Sequence, residues 1–270
     1  LFYKILGLKY SLKISGNIFS LIGPLFRSKK ICENNLSFAF PNIAKLESDK
    51  IIKSMWTNYG KIFAEYLFIK NYRISKIKQD DIEVENQKYL NEIKESKSPV
   101  IFVSGHFNNF ELMAMHIEKS GIDLAAIYRP LNNMFLNPIM EAIRKKYICK
   151  KQIKKGISGT REILRYFKNG SSIALMIDQR VSEGIKSDLF EVKALTTTIP
   201  AQFSKKFNAK IVPIYIERTK KNTFKLKVHK PILFSKKKTI SSITLELNKI
   251  LEKMILANPD QWIWTHNRWK

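Results

Sequence analysis

Short apolar runs alternate with longer amphipathic segments from about residue 100 to the end of this chain. The runs typical of strands occur at 100–103, 122–128, 173–177, 211–216 and 224–228. Apolar positions at helical spacing occupy 133–147, 159–168, 200–207 and 241–256. Such alternation is typical of helices that cover a parallel sheet. We therefore predict an α/β fold with a mixed, mostly parallel sheet flanked by helices.

The first 30 residues have a different pattern. Leucine, isoleucine, phenylalanine and tyrosine are frequent up to Phe26, but Lys4, Lys9 and Lys13 interrupt them. The segment lacks the roughly 18 uninterrupted apolar residues of a spanning helix. An interfacial membrane helix fits this pattern, and so does a helix packed on a soluble core. We predict a membrane-associating helical arm over residues 1–30, broken near Gly23-Pro24, and one domain over residues 31–270.

The charge balance narrows the choice of partners. The 270 residues include 48 Lys and Arg against 23 Asp and Glu, which gives a net charge of +25. This excess indicates an anionic partner such as nucleic acid, lipid headgroups or an acidic protein. Because the lysines are spread along the chain without a recognition motif, we expect no specific nucleic acid. Cys32 and Cys149 are isolated from each other and from histidine clusters, so we predict neither a disulfide nor a metal site.

A histidine and a glutamate stand at an informative spacing after the first strand. Residues five apart do not share a face of a continuous helix. If His106 lies in the loop and Glu111 in the first helical turn, they can meet. Glu111 would then fix the tautomer of His106, whose other nitrogen could deprotonate a hydroxyl that attacks a thioester. Asn109 is expected to bind substrate or to hold the loop. The alternative is a structural histidine at a strand end.

Further polar residues follow the next two predicted strands. Arg129 follows the run 122–128, and Asp178, Gln179 and Arg180 follow the run 173–177. Chemistry in α/β sheets gathers where strands end. We predict that these four residues bind substrate, with Arg129 on a phosphate or a developing oxyanion and Asp178 paired to it. A surface salt bridge and a turn are the alternatives.

Several short motifs together resemble one family. They lie at 35–41, 105–111, 128–130, 178–180, 183–185, 259–264 and 268–269, with Pro213 and Arg218 between them. In this order they resemble the lauroyl/myristoyl acyltransferases of lipid A biosynthesis, in the lysophospholipid acyltransferase superfamily. The resemblance covers nearly the whole chain. One departure is the lysine-interrupted N-terminal segment, where the family usually carries a more hydrophobic anchor.

The resemblance implies a fold, a reaction and a location. The fold would be glycerol-3-phosphate-acyltransferase-like. The reaction would move an acyl chain from acyl carrier protein to a hydroxyl of a lipid A precursor, at the cytoplasmic face of the inner membrane of a Gram-negative bacterium. His106 would be the general base and Glu111 its partner, and no cofactor is expected because the thioester is already activated. An acidic carrier protein, a phosphorylated precursor and an anionic membrane surface all suit a basic chain.

Two other functions stay open. A glycerophospholipid acyltransferase acting on lysophosphatidic acid would use a His-x4-Asp pair, whereas Glu111 stands at that position here. That class also carries a Glu-Gly-Thr block, and Glu183-Gly184-Ile185 is a poor match to it. The second alternative is a basic protein without enzymatic activity that binds membranes or nucleic acid.

Overall fold

Four α-helices precede the sheet in the part of the chain that the structure describes. The computed structural model describes residues 2–74 and 82–270, so Leu1, where the predicted arm begins, lies outside it. The leading helices are α1 (Phe2–Phe26), α2 (Lys29–Ala39), α3 (Lys45–Tyr66) and α4 (Ile69–Arg73). Within the described ranges, no helix has the length and apolar character needed to cross a bilayer.

Strands and helices alternate through the rest of the chain. The strands are β1 (Ile82–Glu85), β2 (Ile101–Ser104), β3 (Leu124–Tyr128), β4 (Lys151–Lys154), β5 (Ser172–Met176), β6 (Ile185–Leu189), β7 (Val192–Thr196), β8 (Ile211–Arg218) and β9 (Phe224–Val228). The helices are α5 (Gln87–Ser96), α6 (Glu111–Lys119), α7 (Leu136–Ile143), α8 (Ile157–Lys168), α9 (Ile199–Phe207) and α10 (Ile240–Ala257). A π-helical turn, Arg144–Ile148, continues α7, and a 3-10 turn, Pro259–Gln261, follows α10.

The strands form a seven-stranded sheet in the order β1-β9-β8-β2-β5-β3-β4, with β6 and β7 as a separate hairpin. Strands β8, β2, β5, β3 and β4 run parallel, and the β9 strand is antiparallel to β8. Buried apolar residues form two core clusters. The predicted α/β class with a mostly parallel sheet is confirmed. The carboxyl ends of β2, β3 and β5 share one edge, where the polar motifs of the sequence follow.

Helix α1 packs along α3 at glycine contacts. A Cβ at Gly60 would lie 2.2 Å from the carbonyl oxygen of Ser15, and a Cβ at Gly23 would lie 2.3 Å from the Trp56 ring. Glycine is required at both points because any side chain would collide. The predicted break at Gly23-Pro24 is wrong: α1 continues to Phe26, and its non-helical residue is Gly7, with φ 71°. Gly23 therefore serves close packing rather than chain reversal.

Candidate active site

His106 lies at the carboxyl edge of the sheet, directly after β2, and its partner is Asp178 from the end of β5. The ring Nδ1 is 2.8 Å from Asp178 Oδ1, and the His106 backbone N–H donates to Asp178 Oδ2 at 2.7 Å. The neighbouring strands β2 and β5 pair in parallel, with Ser104 opposite Met176. Residues two beyond each strand end are thereby brought together, which explains why the contact forms.

Asp178 is held in its charged form by this arrangement. Burial alone would raise the pKa of its carboxyl group, but the positive charge and hydrogen bonds offered by His106 outweigh it and lower the pKa below its ordinary value. The Trp262 indole N–H also donates to Asp178 Oδ2 at 2.9 Å. Because Asp178 hydrogen-bonds Nδ1, Nε2 is the ring nitrogen left available to a ligand. Nε2 lies 3.5 Å from Gln179 Nε2.

The predicted contact between His106 and Glu111 is wrong, because the structure puts Asp178 in that role. Glu111 begins α6, but its carboxylate accepts from Arg144 Nε at 2.8 Å and from Arg144 Nη2 at 2.6 Å. The Tyr66 hydroxyl also donates to it. An arginine that binds through two nitrogens is a stronger partner than a neutral imidazole. The assignment of Glu111 to the catalytic site stays a prediction, since it lines the same cavity as His106.

A buried polar network holds the loop that carries His106. Asn109 is fully buried and donates to Glu65 Oε2 at 2.9 Å, and Arg218 pairs with the same carboxylate. Arg218 also donates to Asn108 Oδ1 at 2.8 Å, and Asn108 has a positive φ of 43°. Of the two roles expected for Asn109, its contacts fit holding the loop. Its predicted contact with substrate stays a prediction.

A cavity of about 650 Å³ opens beside the His106 ring. This size is typical of a pocket for a small organic ligand. Its apolar wall comes from β2, β3, β5 and α6, where Ala126 and Ala174 are register neighbours on β3 and β5. Two alanines side by side leave space between the sheet and α6. Polar groups on the same cavity belong to Arg129, Arg144 and Gln179.

A second, polar cavity adjoins the first. Arg129 and Lys155 line both cavities, and Arg180 lines the second. Burial and the nearby Arg129 charge lower the pKa of Lys155. The predicted Arg129–Asp178 pair is not formed, because Asp178 is occupied by His106 and Trp262. The predicted substrate residues thus fall into two groups, with Gln179 at the imidazole and the arginines around the polar cavity.

Other titratable groups offer little for catalysis or metal binding. Burial raises the pKa of Cys32 to about 11 and that of Cys149 to about 12, so both thiols stay protonated at neutral pH. Burial lowers the pKa of His266, on the cavity wall, to about 4. Among the described residues, no group of three His, Cys, Asp or Glu side chains is placed to hold a metal ion.

Sequence reasoning missed Arg144, Tyr66 and the indole of Trp262. Arg144 lies inside a predicted helix, where no local pattern separates it from the adjacent lysines. Trp262 and Trp264 are 1% and 0% exposed, which agrees with core packing. Only the spatial meeting of distant segments reveals these roles.

Comparison with known proteins shows which sequences this chain resembles. A sequence model of the bacterial lipid A biosynthesis acyltransferases matches residues 2–270. A lipid A biosynthesis acyltransferase of Haemophilus influenzae is 25% identical over 260 residues, covering 94% of this chain and 81% of the relative. The lipid A biosynthesis lauroyltransferase of Escherichia coli K12 is 24% identical over 254 residues, covering 90% and 79%. The palmitoleoyltransferase of the same organism is 22% identical over 250 residues, covering 91% and 80%.

A histidine–aspartate pair beside a cavity, on a chain that matches these enzymes along its length, defines an acyltransferase. The chain belongs to the bacterial lipid A biosynthesis acyltransferase family. The predicted family is therefore confirmed.

Proposed function

We propose that this enzyme transfers a fatty acyl chain from acyl carrier protein to a hydroxyl of a lipid A precursor, with His106 as general base. The observation that carries the proposal is the His106–Asp178 pair at 2.8 Å beside an apolar cavity of about 650 Å³. Asp178 hydrogen-bonds Nδ1 of His106, and Nε2 is left available to a substrate in the cavity. The lipid A pathway is inferred from the relatives, which are named as enzymes of lipid A biosynthesis.

The mechanism needs one proton carrier and no protein nucleophile. His106 Nε2 removes the proton of the acceptor hydroxyl as its oxygen bonds to the thioester carbonyl carbon. The tetrahedral intermediate then collapses, the carbon–sulfur bond breaks, and the imidazolium returns the proton to the leaving thiolate. Asp178 stabilises the imidazolium between these two steps. The products are the new ester and the free thiol of the carrier.

Donors on the cavity wall are suited to the negative charge that develops on the carbonyl oxygen. Arg144 Nη1 is buried and has no hydrogen-bond partner among the described residues. Glu111 holds the other side of the same guanidinium. A pre-oriented buried donor stabilises an oxyanion far better than a solvated one. We assign Arg144 and the Gln179 amide to this role, and Glu111 to positioning Arg144.

The polar cavity suits the phosphorylated end of the acceptor. Arg129, Arg180 and Lys155 converge there, with Glu183 as the acidic residue on the same wall. Guanidinium groups bind phosphate oxygens through paired hydrogen bonds. Because Arg129 lines both cavities, a phosphate bound there would lie next to the reacting hydroxyl.

The partners and the cellular location of the enzyme are inferred from its charge and from the lipid acceptor. A net charge of +25 suits an acidic acyl carrier protein and an anionic membrane surface. We place the enzyme at the cytoplasmic face of the inner membrane of a Gram-negative cell, with residues 1–30 as the arm that contacts the bilayer. No cofactor is required, since the thioester supplies the activated carbonyl.

The test is acyl transfer by the purified chain, read by mass spectrometry. With acyl carrier protein thioesters of several lengths and a lipid A precursor, the product should gain one acyl mass. His106→Ala should lower turnover by about 100- to 10,000-fold while the fold survives. Near-normal transfer by folded His106→Ala would contradict the mechanism. Transfer to lysophosphatidic acid but not to the precursor would favour the glycerophospholipid class.

An experiment in cells distinguishes the proposed enzyme from the remaining alternative, a binding protein without enzymatic activity. Lipid A from cells that lack the gene should be one acyl group lighter, and the wild-type gene should restore that mass. His106→Ala should not restore it. Restoration by this variant would point to a role as a binding protein without enzymatic activity.

A further inference from the structure

The segment that leads into α7 exposes an unusual amount of apolar surface. Five large apolar side chains between residues 131 and 139 are exposed: Leu131, Met134, Phe135, Leu136 and Ile139. Phe135 is 78% exposed, and α7 has no buried residue. A contiguous apolar patch on a protein surface generally marks an interaction site.

The segment is ordered by its own polar contacts. Asn133 Oδ1 accepts the backbone N–H groups of Phe135 and Leu136 at 3.0 Å. Asn137 Oδ1 accepts the N–H of Leu131 at 2.8 Å. Glu141 pairs with Lys154 on the adjacent strand. The backbone is therefore fixed while the apolar side chains point to solvent.

The apolar patch at residues 131–139 borders the active-site cavity, and a second apolar patch borders the same cavity. Leu131 lines the cavity that holds His106. From the other end of the sequence, Leu25 and Phe26 at the end of α1 are 83% and 71% exposed, and the next residue, Arg27, lines the same cavity. Two exposed apolar groups, more than 100 residues apart, thus flank one opening.

The charge around the patch identifies its occupant. Residues 129–155 contain eight Lys and Arg but one acidic residue, Glu141. Lys145, Lys146 and Lys150 are exposed. Apolar side chains beside a basic rim are typical of a surface that dips into an anionic bilayer.

We propose that residues 131–139 and the end of α1 form a bilayer-docking surface that inserts into anionic phospholipid and opens the His106 cavity toward the membrane. The inference rests on the proposed function, because a lipid acceptor would enter such a cavity from the bilayer. The tests below measure membrane binding and not turnover. Their outcome is therefore independent of whether the proposed acyl transfer is correct.

The first test compares two leucines of equal exposure. Leu136 is 52% exposed, and Leu233 is 51% exposed beside Ile232, which pairs with Ile211 at the opposite, amino end of β8. On vesicles of phosphatidylglycerol and phosphatidylethanolamine, Leu136→Ser should weaken flotation of the full chain about three- to tenfold, as expected for one leucine leaving the apolar phase. Leu233→Ser should float like wild type. Equal binding by the two variants would overturn the proposal.

The second test reports where the segment lies. Cys32 and Cys149 are buried, so an environment-sensitive fluorophore should label the thiol introduced by Leu136→Cys or by Leu233→Cys. Emission from position 136 should shift to the blue on anionic vesicles, with little shift on phosphatidylcholine, and emission from position 233 should not change. A blue shift that grows with protein concentration without vesicles would instead assign the patch to a second copy of the chain and overturn the proposal.

Discussion

Two buried carboxylates close to the same loop have different tasks. Glu65 is fully enclosed, with Arg218 and Asn109 as partners. Asp178 is also buried, at 1% exposure, but its partner His106 has 19% of its side chain exposed, on the wall of the cavity. Both carboxylates are saturated by hydrogen bonds. What separates structure from chemistry here is whether the partner of the carboxylate can reach a ligand.

The two pairs also differ in the side chain that binds the carboxylate. The guanidinium of Arg218 can only donate hydrogen bonds, so the Glu65–Arg218 pair is a fixed ion pair. The imidazole of His106 has a second ring nitrogen that can accept a hydrogen bond from a ligand, so the His106–Asp178 pair can take part in a reaction. The fixed pair holds Asn108 and Asn109 and thus the loop that presents His106. The buried Glu65–Arg218 pair thus supports the position of the His106–Asp178 pair.

The comparison predicts its largest effect for Asp178→Asn. The amide would offer an N–H to Nδ1 in place of an acceptor, which favours the tautomer protonated on Nε2. We expect turnover to fall about 100- to 10,000-fold, as in other oriented histidine bases. Trp262 and the His106 backbone N–H can still donate to the amide oxygen, so the fold should survive. Turnover and thermal unfolding should be measured together; a folded variant with wild-type turnover would remove Asp178 from the mechanism.

A substitution in the buried Glu65–Arg218 pair should instead lower the free energy of unfolding. Glu65→Gln leaves Arg218 buried without its counter-charge, which should cost about 3–5 kcal/mol in the free energy of unfolding. Its control is Glu33→Gln, which removes the exposed pair with Lys45 and should cost under about 1 kcal/mol. Denaturant titration measures both. Equal losses would show that burial does not distinguish the two pairs.

The features that could be predicted from the sequence are those that depend on the order of strands, helices and polar residues along the chain. The strand–helix alternation predicted the sheet, and polar residues after strands predicted that His106, Arg129 and Asp178 would share an edge. The sequence was misleading about partners, because the spacing of His106 and Glu111 matters less than the parallel pairing of β2 with β5. That pairing joins segments 72 residues apart.

Other features could not be read from local pattern. Arg144, which pairs with Glu111, lies in a π-helical turn, and this turn has no recognisable sequence signature in a run of basic residues. The small β6–β7 hairpin was not predicted either, because its polar residues hide its alternation. Both features are determined by tertiary contacts rather than by periodicity.

A variant at the cavity, Arg129→Ala, tests the same contrast between buried and ligand-accessible charges. Arg129→Ala should raise KM for the phosphorylated acceptor about tenfold, the effect of losing roughly 1.4 kcal/mol of binding, with kcat little changed. Unfolding should stay close to wild type, since the charge lies at a cavity rather than in a sealed network. Lys237→Ala, in an exposed loop before α10, is the matched control. An unchanged KM for Arg129→Ala would take that residue out of the acceptor site.

The smallest effect concerns the pH dependence of stability. The folded state lowers the pKa of Asp178, so its ionised form contributes stability above the unfolded-state pKa of about 3.9. That contribution is lost as the pH falls through the lower, folded-state pKa. The difference in unfolding free energy between wild type and Asp178→Asn should therefore shrink below about pH 4.

His106→Ala provides the internal check on this pH effect. Burial raises the pKa of Asp178, and His106 is the main group that opposes it. Without the imidazole, the folded-state pKa of the carboxyl should rise toward or above its unfolded-state value, so the part of the acid-induced loss of stability that comes from Asp178 should shrink or reverse. Denaturant titrations of His106→Ala and of wild type across the acid range would measure how steeply stability falls. An equally steep fall in both would mean that the imidazole does not hold Asp178 ionised, and the oriented-base mechanism would lose its electrostatic support.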